Sequence, residues 1–317
     1  NSFTQGADHV YLVVWEQENT DPHRLQPFLL ERAGALIEQR SFRGYTVSAY
    51  ALDHATSDLP DDTAVEIRFG PLKLIGVSYP PDSAAEGAIP VALRWRLDGL
   101  AESPYHPSLR LLDPQGQIIS AADGLLLDEL RQPTTLWQNG IETTNFYLVP
   151  VPVGSWPVAY RLAVSVYEEG TQARLAVDGG DQTEYTLGEV RLIQAAHPER
   201  DPYQTRTGLP WQVPQGQPVE GNLQLESFAI PDPTAMPGEP VGVLLRWRAI
   251  GPLTEASLPA LVLGESGPYQ REANGSILED TYPLTEWKTG DVIIERREVP
   301  YPALPGPLSL RLGAISL

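Results

Sequence analysis

The tetrapeptide Leu-Arg-Trp-Arg occurs at positions 93–96 and again at 245–248. The match extends well beyond those four residues. Leu72, Leu74 and Gly87 answer to Leu223, Leu225 and Gly238, each 151 residues later. Trp137, Gly140, Pro150 and Pro152 answer to Trp287, Gly290, Pro300 and Pro302, each 150 residues later, and the order Trp-x2-Gly-x8-Val-Pro-x-Pro is identical in both copies. The offset drifts by only one or two residues, and insertions of that size belong in loops between periodic segments. The chain therefore reads as one domain written twice.

The local pattern says which kind of domain. Val91, Leu93, Trp95 and Leu97 fall on one face of an extended strand, with Ala92, Arg94 and Arg96 on the other. Val241, Val243, Leu245, Trp247 and Ala249 repeat that parity, as do Tyr160, Leu162, Val164 and Val166, and Leu308, Leu310 and Leu312. Turn sequences such as Asp-Pro-Gln-Gly at 113–116 and Gly-Glu-Ser-Gly at 264–267 separate the runs. The 31 prolines and 27 glycines exceed the usual share, roughly one residue in eight for the two together. The expected fold is mainly β: two tandem immunoglobulin-like antiparallel β-sandwiches. Trp95 and Trp247 are expected to plug the two cores. Trp137 and Trp287, each just before a turn glycine, are expected to pack at the sandwich ends.

The first 53 residues follow a different rule. His-Val-Tyr-Leu-Val-Val-Trp at 9–15 is nearly continuous in apolar character, as in a strand covered on both faces. Leu25, Phe28, Leu29 and Ala33 share a helical face, Pro27 suits only a first turn, and Gly34 marks the stop. Two further strands follow around an Arg-Gly turn at 43–44. This small strand-helix-strand-strand α/β segment (1–53) reads as the end of a larger domain. A linker at 54–66 leads to the first sandwich at 67–194, and a second linker at 195–220, rich in Pro, Gln and Gly, leads to the second at 221–317. Either the counterpart of Tyr-Thr-Leu-Gly-Glu-Val-Arg-Leu-Ile at 185–193 is missing from the second copy in this chain, or Arg-Leu-Gly-Ala-Ile-Ser-Leu at 311–317 serves in its place after a deletion.

Composition and motifs exclude several chemistries. A net charge of −19 repels nucleic-acid phosphates and anionic lipid head groups, so neither is expected as a partner. With no cysteine there is no disulfide, thiolate metal site or thiol nucleophile. No apolar run is long enough to span a bilayer. The five histidines, at 9, 23, 54, 106 and 197, show no zinc-ligand spacing, and no nucleophile elbow or phosphate loop occurs. No catalytic residue, cofactor or metal is expected. Asp61 with Asp62, or Asp178 with Asp181, could offer oxygens to calcium but match a calcium loop poorly. The candidates for ligand binding are Tyr105, Tyr203, Trp211 and Tyr269, aromatic residues in loop-like stretches where a ring could stack on a sugar face.

Taken together, residues 9–22, 35–52, 65–79, 89–97, 109–119, 133–140 and 148–152 resemble the extracytoplasmic C-terminal region of bacterial multi-pass glycosyltransferases of the protein-mannosyltransferase-like class, of the Chloroflexus type. The resemblance spans nearly the whole chain and rests on structural motifs: a Pro-Gly turn, a Trp strand, an Asp-x2-Gly turn and a Trp-x2-Gly step. It implies an extracytoplasmic location and partners among glycans or the membrane-embedded part of a parent protein. In such enzymes catalysis belongs to acidic residues beside membrane helices, so the resemblance implies a spacer or recognition role here. A stand-alone carbohydrate-binding pair and a glycoside hydrolase are the alternatives. The second copy departs from the pattern where Gly-Glu-Ser-Gly replaces Asp-Pro-Gln-Gly.

Overall fold

The structure is a computed structural model that describes residues 4–15, 21–53, 61–205, 211–213, 219–220, 222–230, 240–253, 260–263, 281–300 and 310–313. The chain is mainly β. It divides into two compact units: residues 1–152, 159–193 and 200–205 form the first, and residues 153–158, 194–199 and 206–317 the second.

In the first unit, β1 (His9–Trp15), α1 (Leu25–Ala33), β2 (Gly34–Phe42) and β3 (Tyr45–Leu52) follow the strand-helix-strand-strand order. The strands form an antiparallel sheet ordered β1-β3-β2. Pro27 sits in the first turn of α1, where its missing N–H leaves no helical bond unmade, and the N–H of Gly34 closes the helix on the carbonyl of Leu30. The buried helical residues are Phe28, Leu30, Glu31 and Ala33, so the inward face is turned from the Leu25/Leu29 stripe that spacing alone predicts. The cause is packing on two sides. Phe28 meets Ala92 and Phe146 of the adjoining sandwich, its ring 4.7 Å from that of Phe146, while Leu30 packs with Leu36 and Tyr50 of its own sheet. The helix shields one face of that sheet only. Tyr11, Val13 and Trp15 on the other face of β1 are exposed, which corrects the expectation of a strand covered on both faces.

The first sandwich comprises β4 (Thr63–Phe69), β5 (Leu72–Ser78), β6 (Asp82–Ala84), β7 (Ala88–Leu97), β8 (Tyr105–Leu112), β9 (Ile118–Asp123), β10 (Glu142–Pro150), β11 (Ala159–Glu168) and β12 (Tyr185–Ile193). One sheet runs β10-β7-β5-β4 and the other β6-β12-β11-β8-β9. All pairings are antiparallel except that of β6 with β12. Strand β4 opens at Thr63, inside the stretch expected to be linker, because Thr63 already pairs with Val77.

The parity of β7 decides what fills this core. Leu93, Trp95 and Leu97 are fully buried with Leu74, Leu162 and Val164, and the edge of Phe69 faces Trp95 at 5.9 Å. Arg94 and Arg96 point the other way, Arg94 to Asp62 and Glu142 and Arg96 to Asp98. The first half of β7 is buried on both faces, since Phe28 of α1 covers the outer side of Ala92.

The second unit contains β13 (Val219–Glu220), β14 (Leu223–Ala229), β15 (Pro240–Ala249), β16 (Ala260–Leu263), β17 (Val292–Pro300) and β18 (Leu310–Gly313), in sheets ordered β13-β14-β15-β17 and β16-β18. Its registers reproduce those of the first. Leu74 lies opposite Trp95 and Gly76 opposite Arg94, with a bulge between; Leu225 lies opposite Trp247 and Ser227 opposite Arg246, with the same bulge. The N–H of Trp137 bonds the carbonyl of Thr134, and that of Trp287 the carbonyl of Leu284, both at 3.1 Å. The N–H groups of Gly140 and Gly290 reach Leu97 and Ala249 respectively, both at 2.7 Å. Each glycine has positive φ, which suits the turn it makes. Both tryptophans are buried, each pinned through its indole N–H to a nearby carbonyl, Gln132 for Trp137 and Tyr282 for Trp287.

The core of the second unit gathers Leu223, Leu225, Val241, Val243, Leu245, Trp247 and Trp287, joined by Trp156, whose indole N–H bonds the carbonyl of Ile294 at 2.9 Å. At the positions of Asn145 and Tyr147 in the first sandwich this unit holds Glu295 and Arg297, a fully buried ion pair with Nε to Oε1 at 2.8 Å. Gly238, the Gly-Glu-Ser-Gly turn and Leu308 lie outside the described residues.

Candidate functional site

On the flank of the first unit a cavity of about 800 Å³ opens between the turn that precedes α1, the loop after β9 and the middle of β10. Its size falls in the range of sites for small organic ligands. Four local arrangements shape it.

The turn at 21–24 is fixed by Asp21, whose carboxylate accepts the N–H groups of Leu25 and Gln26, both at 2.9 Å. This satisfies two donors that the helix start leaves open. Arg24 takes a left-handed backbone (φ 55°) to enter the helix, and its side chain stands at the cavity rim. His23 reaches across to the carbonyl of Asp128 through Nε2 at 3.0 Å, while its Nδ1 is buried and has no hydrogen-bond partner.

The loop after β9 is held against β10 by side chains. Asn145 accepts the N–H of Leu127 and donates to its carbonyl, Thr143 donates to the same carbonyl, and buried Asp128 gathers the N–H groups of Leu130 and Gln132. Gly124 lies on the ring of Tyr147, where a Cβ would stand 3.1 Å from Cε1. The Tyr147 hydroxyl is buried without a partner. Burial pushes its ionisation far above the ordinary phenol range, with Asp123 adding to the shift and Arg24 opposing it, so it stays neutral and able to donate.

At the other end His106 stacks on Tyr167 with ring centroids 5.3 Å apart and 14° between planes. Its Nε2 is buried, 3.9 Å from Glu169 Oε1, too far for a hydrogen bond. Asp123 and Glu169 are exposed at the rim. The cavity is thus lined by two histidines, a tyrosine, the acidic residues Asp21, Asp123 and Glu169 and the guanidinium residue Arg24, against apolar walls from Leu125, Phe146 and Leu148, with the unpartnered His23 Nδ1, His106 Nε2 and Tyr147 hydroxyl buried beneath its surface. Such a set can hydrogen-bond a ligand rich in hydroxyls from several sides.

The described aromatic candidates from the sequence, Tyr105, Tyr203 and Trp211, lie elsewhere. Tyr105 opens β8 and is buried in the core, with its N–H on Thr134 Oγ1; this corrects the expectation of an exposed loop aromatic. The chain there is already strand, since Tyr105 pairs with Glu168 of β11. Tyr203 is half-buried and packs on the Leu30, Leu36 and Tyr50 cluster. Trp211, in the second unit, is half-buried with its indole nitrogen enclosed. Tyr269 lies outside the described residues. Neither Tyr105 nor Tyr203 nor Trp211 lines the cavity. Of the carboxylate pairs considered for calcium, Asp62 pairs with Arg94, and Asp178 accepts the N–H of Arg68.

The cavity residues went unnoticed in the sequence because they come from five distant stretches. One signal was present. Thr143, Asn145 and Tyr147 place three polar groups on the inward parity of a strand, where a core strand would be apolar.

The fold is that of a β-sandwich-rich protein with a cavity on the flank of its first unit. No family model matches the chain, and no curated protein matches it. Among solved structures, the C-terminal domain of Wzt is 12% identical over 43% of this chain and 80% of its own, with a TM-score of 0.29. A calcium-binding mutant of Bacteroides uniformis β-glucuronidase 2 is 13% identical over 47% of this chain and 20% of its own, with a TM-score of 0.24.

Proposed function

We propose that the chain is a non-catalytic recognition region of the extracytoplasmic face, attached to a membrane glycosyltransferase of the protein-mannosyltransferase-like class, and that it binds saccharide in the cavity beside α1. In this reading both units are immunoglobulin-like modules from one duplication, and only the first carries the site. The observation that supports it is the convergence of His23, His106, Tyr147 and Asp123 on one cavity, with buried polar atoms that have no partner in the protein. Buried polar groups left unpaired cost about 1–3 kcal/mol each, and a hydroxyl-rich ligand or ordered water supplies what is missing. The cavity's excess of carboxylate over guanidinium favours a neutral or amino sugar over an acidic one.

The test is a glycan array probed with the full chain, followed by titration of the strongest saccharide. Asp123→Ala and His106→Ala are each expected to weaken binding about tenfold or more, equivalent to about 1.4 kcal/mol, while Tyr105→Phe leaves it unchanged. Loss of binding on Trp211→Ala, with the cavity variants unaffected, would move the site to the second unit. No binding across the array leaves the spacer role in place of recognition.

A further inference from the structure

Resting on that recognition reading, a second feature bears on how the cavity is controlled. The turn at 21–24 runs without a break into α1, and α1 is fastened near its far end by Glu31. Oε1 of Glu31 accepts the N–H of Ala88, at the start of β7, at 3.0 Å, and Oε2 accepts the N–H of Leu36 in β2 at 3.3 Å. One side chain therefore ties the helix, the small sheet and the sandwich together. Gly87 makes room for it. Its φ is +73°, and a Cβ there would come within 2.8 Å of Oε1, so Gly87→Ala is expected to lower the melting temperature of the first unit.

The carboxyl is buried. Tyr203 from the 200–205 segment, Tyr50 from β3 and Glu86 from the turn before β7 face it, and Arg32 and Asp82 stand with it around a smaller cavity of about 390 Å³. Burial raises its pKa from 4.5 to about 7; the N–H of Ala88, Tyr203 and the N–H of Leu36 oppose the rise, and Glu86 adds to it.

We propose that Glu31 is a proton-sensitive latch on the cavity wall: neutral, it holds α1 and the Asp21–Arg24 turn against the sandwich; ionised, it loosens them and lets the saccharide go. The closed form binds the proton more tightly than an open form in which the carboxyl is hydrated. The latch is therefore complete below about pH 4.5, weakens as pH rises, and is fully released above about pH 7. Between pH 5 and 7 the open-to-closed ratio rises about fortyfold, somewhat less than tenfold for each pH unit because both ends of the window lie near a pKa.

Hydrogen exchange of the α1 amides in the full chain, corrected for the intrinsic pH dependence of exchange, reads that ratio directly. Wild-type protection is expected to fall about fortyfold from pH 5 to 7 and to level off above, and to be flat in Glu31→Gln. Saccharide affinity, measured at the same pH values, should fall in step. A wild-type protection profile flat in pH overturns the latch whatever the variant does. A slope that persists in Glu31→Gln but disappears in His23→Asn overturns it in favour of the imidazole. Protection that follows pH while no saccharide binds supports the latch and removes the recognition reading; saccharide binding at an unchanged affinity from pH 5 to 7 removes the latch and leaves recognition standing.

Discussion

Replacing Arg297 with alanine is expected to destabilise the second unit by about 3–5 kcal/mol, the cost of stranding a buried charge. Arg297 and Glu295 are 2% and 1% exposed, and the guanidinium Nε meets Glu295 Oε1 at 2.8 Å. The other carboxylate oxygen accepts the indole N–H of Trp247, also at 2.8 Å. Removing the arginine leaves a carboxylate in the core with one neutral donor where it had a charge partner. The pair itself is a different matter, since desolvating two ions offsets most of their attraction. Glu295→Gln combined with Arg297→Met keeps an acceptor for Trp247 and removes both charges. It is expected to recover most of the stability lost in the single variant. Urea midpoints of the three proteins check both statements, and a double variant no more stable than Arg297→Ala would show that the ion pair is a net contributor.

The second large effect is at Trp95. Truncation to alanine empties the largest fully buried volume of the first sandwich, beside Phe69 and Leu74, and is expected to cost about 3–5 kcal/mol. The two core tryptophans are not equivalent in what truncation leaves behind. The indole N–H of Trp95 has no hydrogen-bond partner, so its loss orphans nothing, whereas Trp247→Ala deprives buried Glu295 of a donor. At equal cavity size Trp247→Ala is the more damaging change. Calorimetry of the Trp95→Ala chain should show the transition of the first unit moved down in temperature with that of the second retained.

The sandwich cores were legible because the information is local and repeated. Alternation along 91–97 and 241–249 reports a strand with one buried face, and the Trp-x2-Gly spacing reports a turn whose hydrogen bonds recur at 3.1 Å and 2.7 Å in both units. What escaped depends on neighbours that spacing does not encode. β1 is apolar apart from His9, yet Val10 and Leu12 pack on the Leu30 cluster while Tyr11, Val13 and Trp15 are exposed. Leu30 and Glu31 are inside because α1 is gripped from two directions, which no helical stripe records. The cavity draws on the turn before α1, on β8, on the loop after β9, on β10 and on the residue following β11, and sequence order gives no hint that these meet. Loop-like composition pointed to Tyr105, while the structure places its neighbour His106 in the cavity and Tyr105 itself in the core.

The claim that joins fold to function is that saccharide enters the cavity between His23 and His106. Two-dimensional NMR of the imidazole rings, recorded while the saccharide selected by the array is titrated into the full chain, addresses it without any substitution. Saturable movement of the His23 and His106 ring resonances, with His197 of the second unit unmoved, is the expected outcome. Binding that leaves both rings unshifted, or that moves only His197, would contradict it.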